Sequence, residues 1–154
     1  MNKFFEDFLD RLGDTHNDCK LAIDGLSQDA LDWTPGPGMN SIGVLIIHLI
    51  GAERYWIGDV VMQEPSGRNR DQEFKSHGLD SFELTRRLDD ALAYIQNSLD
   101  TLSLEDLTKI RISPRDGEEF TIGWSISHVL KHNALHLGHI EVTRHMWELR
   151  SANP

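Results

Sequence analysis

The sequence is short of cysteine, of basic charge and of long apolar runs. Its single cysteine, Cys19, excludes an intrachain disulfide framework and suits a reducing, cytoplasmic setting. Lys and Arg number 15 against 25 Asp and Glu, for a formal net charge of −10 at pH 7. A protein that grips a nucleic-acid backbone needs a basic patch, so no nucleic-acid partner is expected. No stretch stays apolar long enough to span a bilayer, so no membrane association is expected either. The opening residues, Met-Asn-Lys-Phe-Phe-Glu-Asp-Phe, place acids where a secretory signal needs a continuous apolar core. Two catalytic signatures are missing as well. There is no HExxH, hence no glutamate base beside a helical histidine pair. There is no pair of ExxH motifs of the kind a carboxylate di-iron bundle needs. Repeats and low-complexity segments are absent, and Phe, Trp and Leu are too plentiful for a disordered chain. The 154 residues fit a single domain, 1–154, with one buried core.

What is present is helical periodicity. Phe5, Phe8, Leu12, Thr15, Cys19, Ala22 and Leu26 recur at steps of three and four, which predicts a helix over about 2–25 with Cys19 as a small core residue and His16 flanking the stripe. The run Trp33-Thr-Pro35-Gly36-Pro37-Gly38 lies in a helix-breaking segment, 27–40. Asn40 or Ser41 then caps a second helix over about 41–63, whose buried side includes Leu45, His48 or Leu49, Ala52, and Tyr55 or Trp56. Residues 64–80 are polar and without period. They make a long connection that either crosses the bundle or covers a site. Asp80 or Ser81 opens a third helix, with Glu83 placed for a capping box and Phe82, Leu88, Leu92, Ile95 and Leu99 on its stripe. Alternation around Pro114-Arg-Asp-Gly117 predicts a hairpin-like excursion. Thr121 then caps a fourth helix that ends near Arg150. The fold class is all-α: a four-helix bundle with a short excursion between helices three and four.

The chemistry concentrates in the fourth helix. Five of the eight histidines fall between His128 and His145. Residues four apart share a helix face, and the stripe Ile122, Ile126, Val129, His132, His136, Ile140, Thr143, Trp147 reads as the buried side. Two imidazoles thus sit mid-stripe, where an unpartnered polar group costs free energy. A metal ion satisfies both, and a third ligand must come from elsewhere. His48, inside the apolar run from Val44 to Ile50, is the candidate; taken alone it reads as a hydrogen-bonded core histidine. Three neutral nitrogen ligands point to Zn, Ni, Fe or Cu rather than Mg or Ca. Three protein ligands also leave a coordination position open, the pattern of catalytic rather than structural sites. His128 offers an alternative pairing with His132 but lies at the stripe's edge. His139 is a candidate to support the ligands, His145 and His77 read as exposed, and Glu53 and Glu141 are the candidate supporting carboxylates.

These residues carry a resemblance. Ser41-Ile-Gly-Val-Leu-Ile-Ile-His48-Leu-Ile-Gly-Ala-Glu53-Arg-Tyr55-Trp56 is similar to the second-helix motif of the DinB/YfiT-like superfamily. His132-Asn-Ala-Leu-His136-Leu-Gly138-His139 is similar to its fourth-helix motif, and Thr121-Ile-Gly-Trp124 to its entry into that helix. The resemblance implies a bundle in up-down-down-up order and a homodimer. It implies a divalent metal, Zn or Ni, on His48, His132 and His136. It also implies a low-molecular-weight thiol as a candidate cofactor, since members include thiol-dependent S-transferases and a mycothiol-dependent maleylpyruvate isomerase. Leu137 and His139 stand where the family commonly has Arg and Gln, so the groups supporting the ligands are expected to differ.

Three readings follow. The first is a metal-dependent enzyme acting on a small-molecule substrate, with the ion activating a thiol or water for attack on an electrophile. The second is a non-catalytic metal-binding stress-response protein that works through protein partners. The third leaves the histidines as satisfied core groups of a helical scaffold.

Overall fold

Four long helices follow the predicted stripes. In a computed structural model that describes the backbone of residues 1–152 and side chains through Arg150, they are α1 (Lys3–Ile23), α3 (Ile42–Glu53), α5 (Ser81–Leu99) and α6 (Ile122–Ala152). Short helices α2 (Gln28–Asp32) and α4 (Arg70–Glu73) lie in the connections. A 3-10 turn (Leu104–Thr108) leads into a two-stranded antiparallel hairpin, β1 (Ile110–Ile112) with β2 (Glu119–Thr121), paired Arg111 to Phe120. The chain is therefore mostly helical, with the expected excursion before the last helix.

The caps explain the boundaries. Asn2, Ser27, Ser41, Asn69 and Asp80 each turn a side-chain oxygen onto an orphan amide of the first turn. Thr121 Oγ1 does the same for Trp124 at 3.1 Å. At Asp80 only half of the expected capping box forms. The Glu83 amide donates to Asp80, but the Glu83 carboxylate is turned onto Arg86 and Arg87. α3 does not stop at Glu53. It widens into a π-helix over Arg54–Met62 and ends at Gln63, whose φ of 58° is left-handed. The segment 27–40 also departs from expectation, because Ser27 caps a five-residue helix before the Pro-Gly run begins.

α1 packs on α5 and α6, and α3 packs on the same two helices. Phe5, Phe8 and Leu12 share one core cluster with Ile122, Ile126 and Val129, while Cys19, Ala22 and Ile23 share the other with Ile140. Leu45 and Leu49 lie with Leu84 and Leu88 in that second cluster. Each fully buried Leu, Ile or Phe contributes about 1.5–3 kcal/mol relative to exposure, so these faces hold the long helices together. In α1 Phe5, Phe8, Leu12, Cys19 and Ala22 are buried as the stripe predicts, and the departure falls between Leu12 and Cys19. His16 is fully buried, whereas Thr15 is half-exposed and bonds back to the Arg11 carbonyl.

Candidate metal centre

His48 projects from the middle of α3, and His132 and His136 project from one face of α6. These three residues each offer a ligand atom within 4.8 Å of the other two. His132 Nε2 and His136 Nε2 lie 3.1 Å apart. The His48 ring centroid is 5.2 Å from that of His132 and 5.0 Å from that of His136. His48 is nearly buried, and the two α6 histidines are half-buried.

Burial pushes the His132 imidazole down to about 3, helped by electrostatic interactions with His136, His48, His128 and Arg68. Burial likewise lowers His136 to about 4, with His48 and His139 adding to the effect. Both rings are therefore neutral at pH 7, the form in which a nitrogen lone pair can bind a cation. Two neutral Nε2 atoms in contact, with a third imidazole beside them, form a donor set that suits a borderline-soft divalent ion. The Nδ1 atoms of His132 and His136 are buried and have no hydrogen-bond partner among the described residues. Their ring orientation thus comes from helix geometry and stacking. His48 is held differently: its Nδ1 lies 2.9 Å from Glu73 Oε2, which leaves Nε2 to face the pair.

Glu73 is the supporting carboxylate, and the sequence carried no sign of it. It sits on α4, inside the long connection 64–80. Burial alone would raise its pKa, but hydrogen bonds from Arg68 and His48, and their charges, outweigh burial and hold it below the usual carboxylate value. Arg68 donates to both Glu73 oxygens, from Nε at 2.5 Å and Nη2 at 2.9 Å. Gly51, one turn after His48, makes room for this. A Cβ there would come within 2.2 Å of Glu73 Oε1. Phe74, next in the chain, lays its ring 4.9 Å from that of His48. The connection therefore covers the site, as one of its two expected roles.

The other candidates sort as follows. His128 is half-buried and stacks on Trp124 at 4.8 Å, with Trp56 at 4.7 Å. Its own ring stands 5.9 Å from His132, outside the ligand cluster. Burial and Lys131 lower its pKa. His139 is exposed, its ring 5.6 Å from that of His136. His77 and His145 are exposed, as expected, and Glu141 faces a surface groove with Arg144. Glu53 supports a different centre. Its Oε1 lies 2.6 Å from His16 Nε2 and accepts from Asn133 Nδ2, while His16 Nδ1 donates to the Leu88 carbonyl. All three side chains are at most 1% exposed. This network ties α1, α3, α5 and α6 together. The Cys19 thiol is pushed up to about 12, by burial first and by Glu53 and other acids second, so it is no nucleophile at neutral pH.

A model of the DinB superfamily matches residues 11–140. Similar solved structures include a conserved protein from Enterococcus faecalis (TM-score 0.79, 13% identity, covering 95% of this chain and 98% of that one). A DinB-like protein from Bacillus cereus has a TM-score of 0.75 at 17% identity, with 93% and 92% covered. YfiT from Bacillus subtilis, described as a probable metal-dependent hydrolase with an unusual four-helix bundle topology, has a TM-score of 0.77 at 14% identity, with 96% and 90% covered. At these identities the likeness is one of fold. A search of curated proteins found no match.

Proposed function

Because the chain belongs to the DinB superfamily, we propose that it is a divalent-metal-dependent enzyme whose ion is held by His48, His132 and His136. The observation that carries this reading is the convergence of three neutral-capable imidazoles from two helices on one point. YfiT, a fold relative described as a metal-dependent hydrolase, lends it support. Zn or Ni fits the donor set. A divalent ion on three protein nitrogens supplies Lewis acidity toward a water or a thiol at its open position, for attack on a small electrophile. The chain's own residues have separable tasks. Glu73 fixes the tautomer of His48, Arg68 holds Glu73 ionised, and Phe74 covers the His48 ring. Glu73 is too well paired with Arg68 to serve as a general base.

The rest of the reading follows the family. The chain acts as one domain, 1–154, with helices in up-down-down-up order. The pairing of early α1 with early α6, and of late α1 with Ile140, makes these two helices parallel and supports that order. We assign it to the cytoplasm, as a homodimer with a small-molecule substrate and no nucleic-acid partner. Among the described residues no helix is long and apolar enough to cross a membrane.

The test is elemental analysis of tag-free wild-type protein beside His48→Ala. About one transition metal per chain, absent from the variant, is the expected result. Turnover of model esters, or of model electrophiles with an added thiol, by the loaded wild type alone then separates hydrolysis from thiol transfer. Metal-free protein that stays metal-free after reconstitution overturns the reading.

A further inference from the structure

A cleft of about 440 Å³ draws its walls from three separate parts of the chain. Tyr55 and Asp59 come from the π-helix, Arg68 and Arg70 from the 64–80 connection, and Arg115 from the turn of the β1–β2 hairpin. Three guanidiniums converge here in a protein whose net charge is −10. Two of the three are held in place. Arg68 spends Nε and Nη2 on Glu73, and Arg115 spends the same pair of nitrogens on Asp116. A guanidinium has five N–H donors, so each keeps more than it spends. Their central carbons stand 5.7 Å and 5.4 Å from the Tyr55 ring, which fills the space between them. The Tyr55 hydroxyl is committed to Ser113, 2.6 Å away, which fixes that ring. Arg70 meets no carboxylate among the described residues and rests on the Phe74 ring at 4.8 Å. The one carboxylate in the wall, Asp59, is already occupied by the Ser66 amide and hydroxyl, each at 2.9 Å.

Two residues link His48 to the cleft. Arg68 lines it and places Nη2 3.5 Å from His48 Nδ1. Phe74 lies between Arg70 and His48. We propose that this cleft is an anion subsite, in which Arg68, Arg70 and Arg115 bind a carboxylate or phosphate group of the substrate while its reacting end lies at the histidines. Planar guanidiniums match both oxyanions bidentately. The role in catalysis rests on the metal-enzyme reading; the binding of an anion does not.

The test uses zinc-loaded full-length protein at low ionic strength, titrated calorimetrically with succinate and, separately, with inorganic phosphate. Wild type is compared with the Arg70→Gln/Arg115→Gln double variant and with His132→Ala. Arg70 and Arg115 are exposed, so the double variant keeps the fold, which circular dichroism checks, and Arg68 is left to hold Glu73. We expect wild type to bind at least one anion, and the double variant to bind it about tenfold more weakly or worse, since a charge-assisted hydrogen bond is worth at least that factor. His132→Ala should retain binding within about threefold. Succinate alone would identify a carboxylate substrate, and phosphate alone a phosphorylated one. No binding by wild type, or equal binding by the double variant, overturns the proposal. So does loss of binding in His132→Ala, because the anion then sits on the ion. Zinc content is measured in the same samples. Anion binding without zinc uptake removes the metal reading and leaves the cleft, and zinc uptake without anion binding does the reverse.

Discussion

Glu73 makes the first difference at the scale of single residues. Its carboxylate sets which nitrogen of His48 faces the other two histidines, and such partners typically control 10–100-fold of metal affinity. Glu73→Gln is therefore expected to weaken zinc binding about 10–100-fold without loss of fold, measured by competition against a chromogenic chelator. Gly51→Ala should act in the same direction, because the added methyl occupies the place of Glu73 Oε1. The same centre sets a pH dependence. His132 and His136 have folded values of about 3 and about 4, below the ordinary 6.5. Between those values the unfolded chain binds protons that the native state refuses, so these groups favour the native state fully above pH 6.5 and progressively less as pH falls from 6.5 toward 4. The melting temperature of metal-free protein should fall over that window, and the His132→Ala/His136→Ala variant should show a shallower fall. The three clustered histidines were legible because each broke an apolar helical stripe. Glu73 was not legible, because a glutamate in an aperiodic polar segment looks like any solvated acid until Arg68 and His48 are seen around it.

At the scale of elements, the sequence periods located the long helices well and misjudged one position in one of them. In α1, Thr15 and His16 compete for the same stripe position. Polarity favours the threonine, but the buried acceptors Glu53 and Leu88 carbonyl favour the imidazole. That preference depends on α3 and α5 and cannot be read from α1 alone. The same tie predicts a cost. Glu53→Ala leaves the His16 Nε2 and the Asn133 amide in the core without their acceptor, which should destabilise the protein by about 3 kcal/mol or more. Urea unfolding measures it, as a lower midpoint at unchanged slope. The π-helix over Arg54–Met62 was equally hidden. Its residues carry an ordinary apolar pattern, and it presents Tyr55 to the cleft and Trp56 to Trp124.

At the scale of the whole molecule, a ligand that binds only the native state stabilises it by mass action. Free zinc at about 1,000 times its dissociation constant contributes about 4 kcal/mol, which for a chain of this size raises the melting temperature by roughly 8–16 °C. His132→Ala should show none of that rise in a calorimetric scan at matched zinc. Bundle membership was legible from four amphipathic periods, whereas the packing of α1 and α3 each against α5 and α6 depends on which stripes face each other in space. That packing also has a kinetic side. Glu53 and Asn133 are 80 residues apart in sequence, and His48 and His132 flank the same junction, so the site closes only when the last long helix docks on one made far earlier. Closing so long a loop is entropically costly and tends to come late. An ion that bridges the two helices then stabilises contacts absent from the transition state and acts on the escape rate rather than on the rate of arrival. Zinc should leave the refolding limb of a chevron almost unmoved and lower its unfolding limb, making the loaded protein long-lived as well as stable.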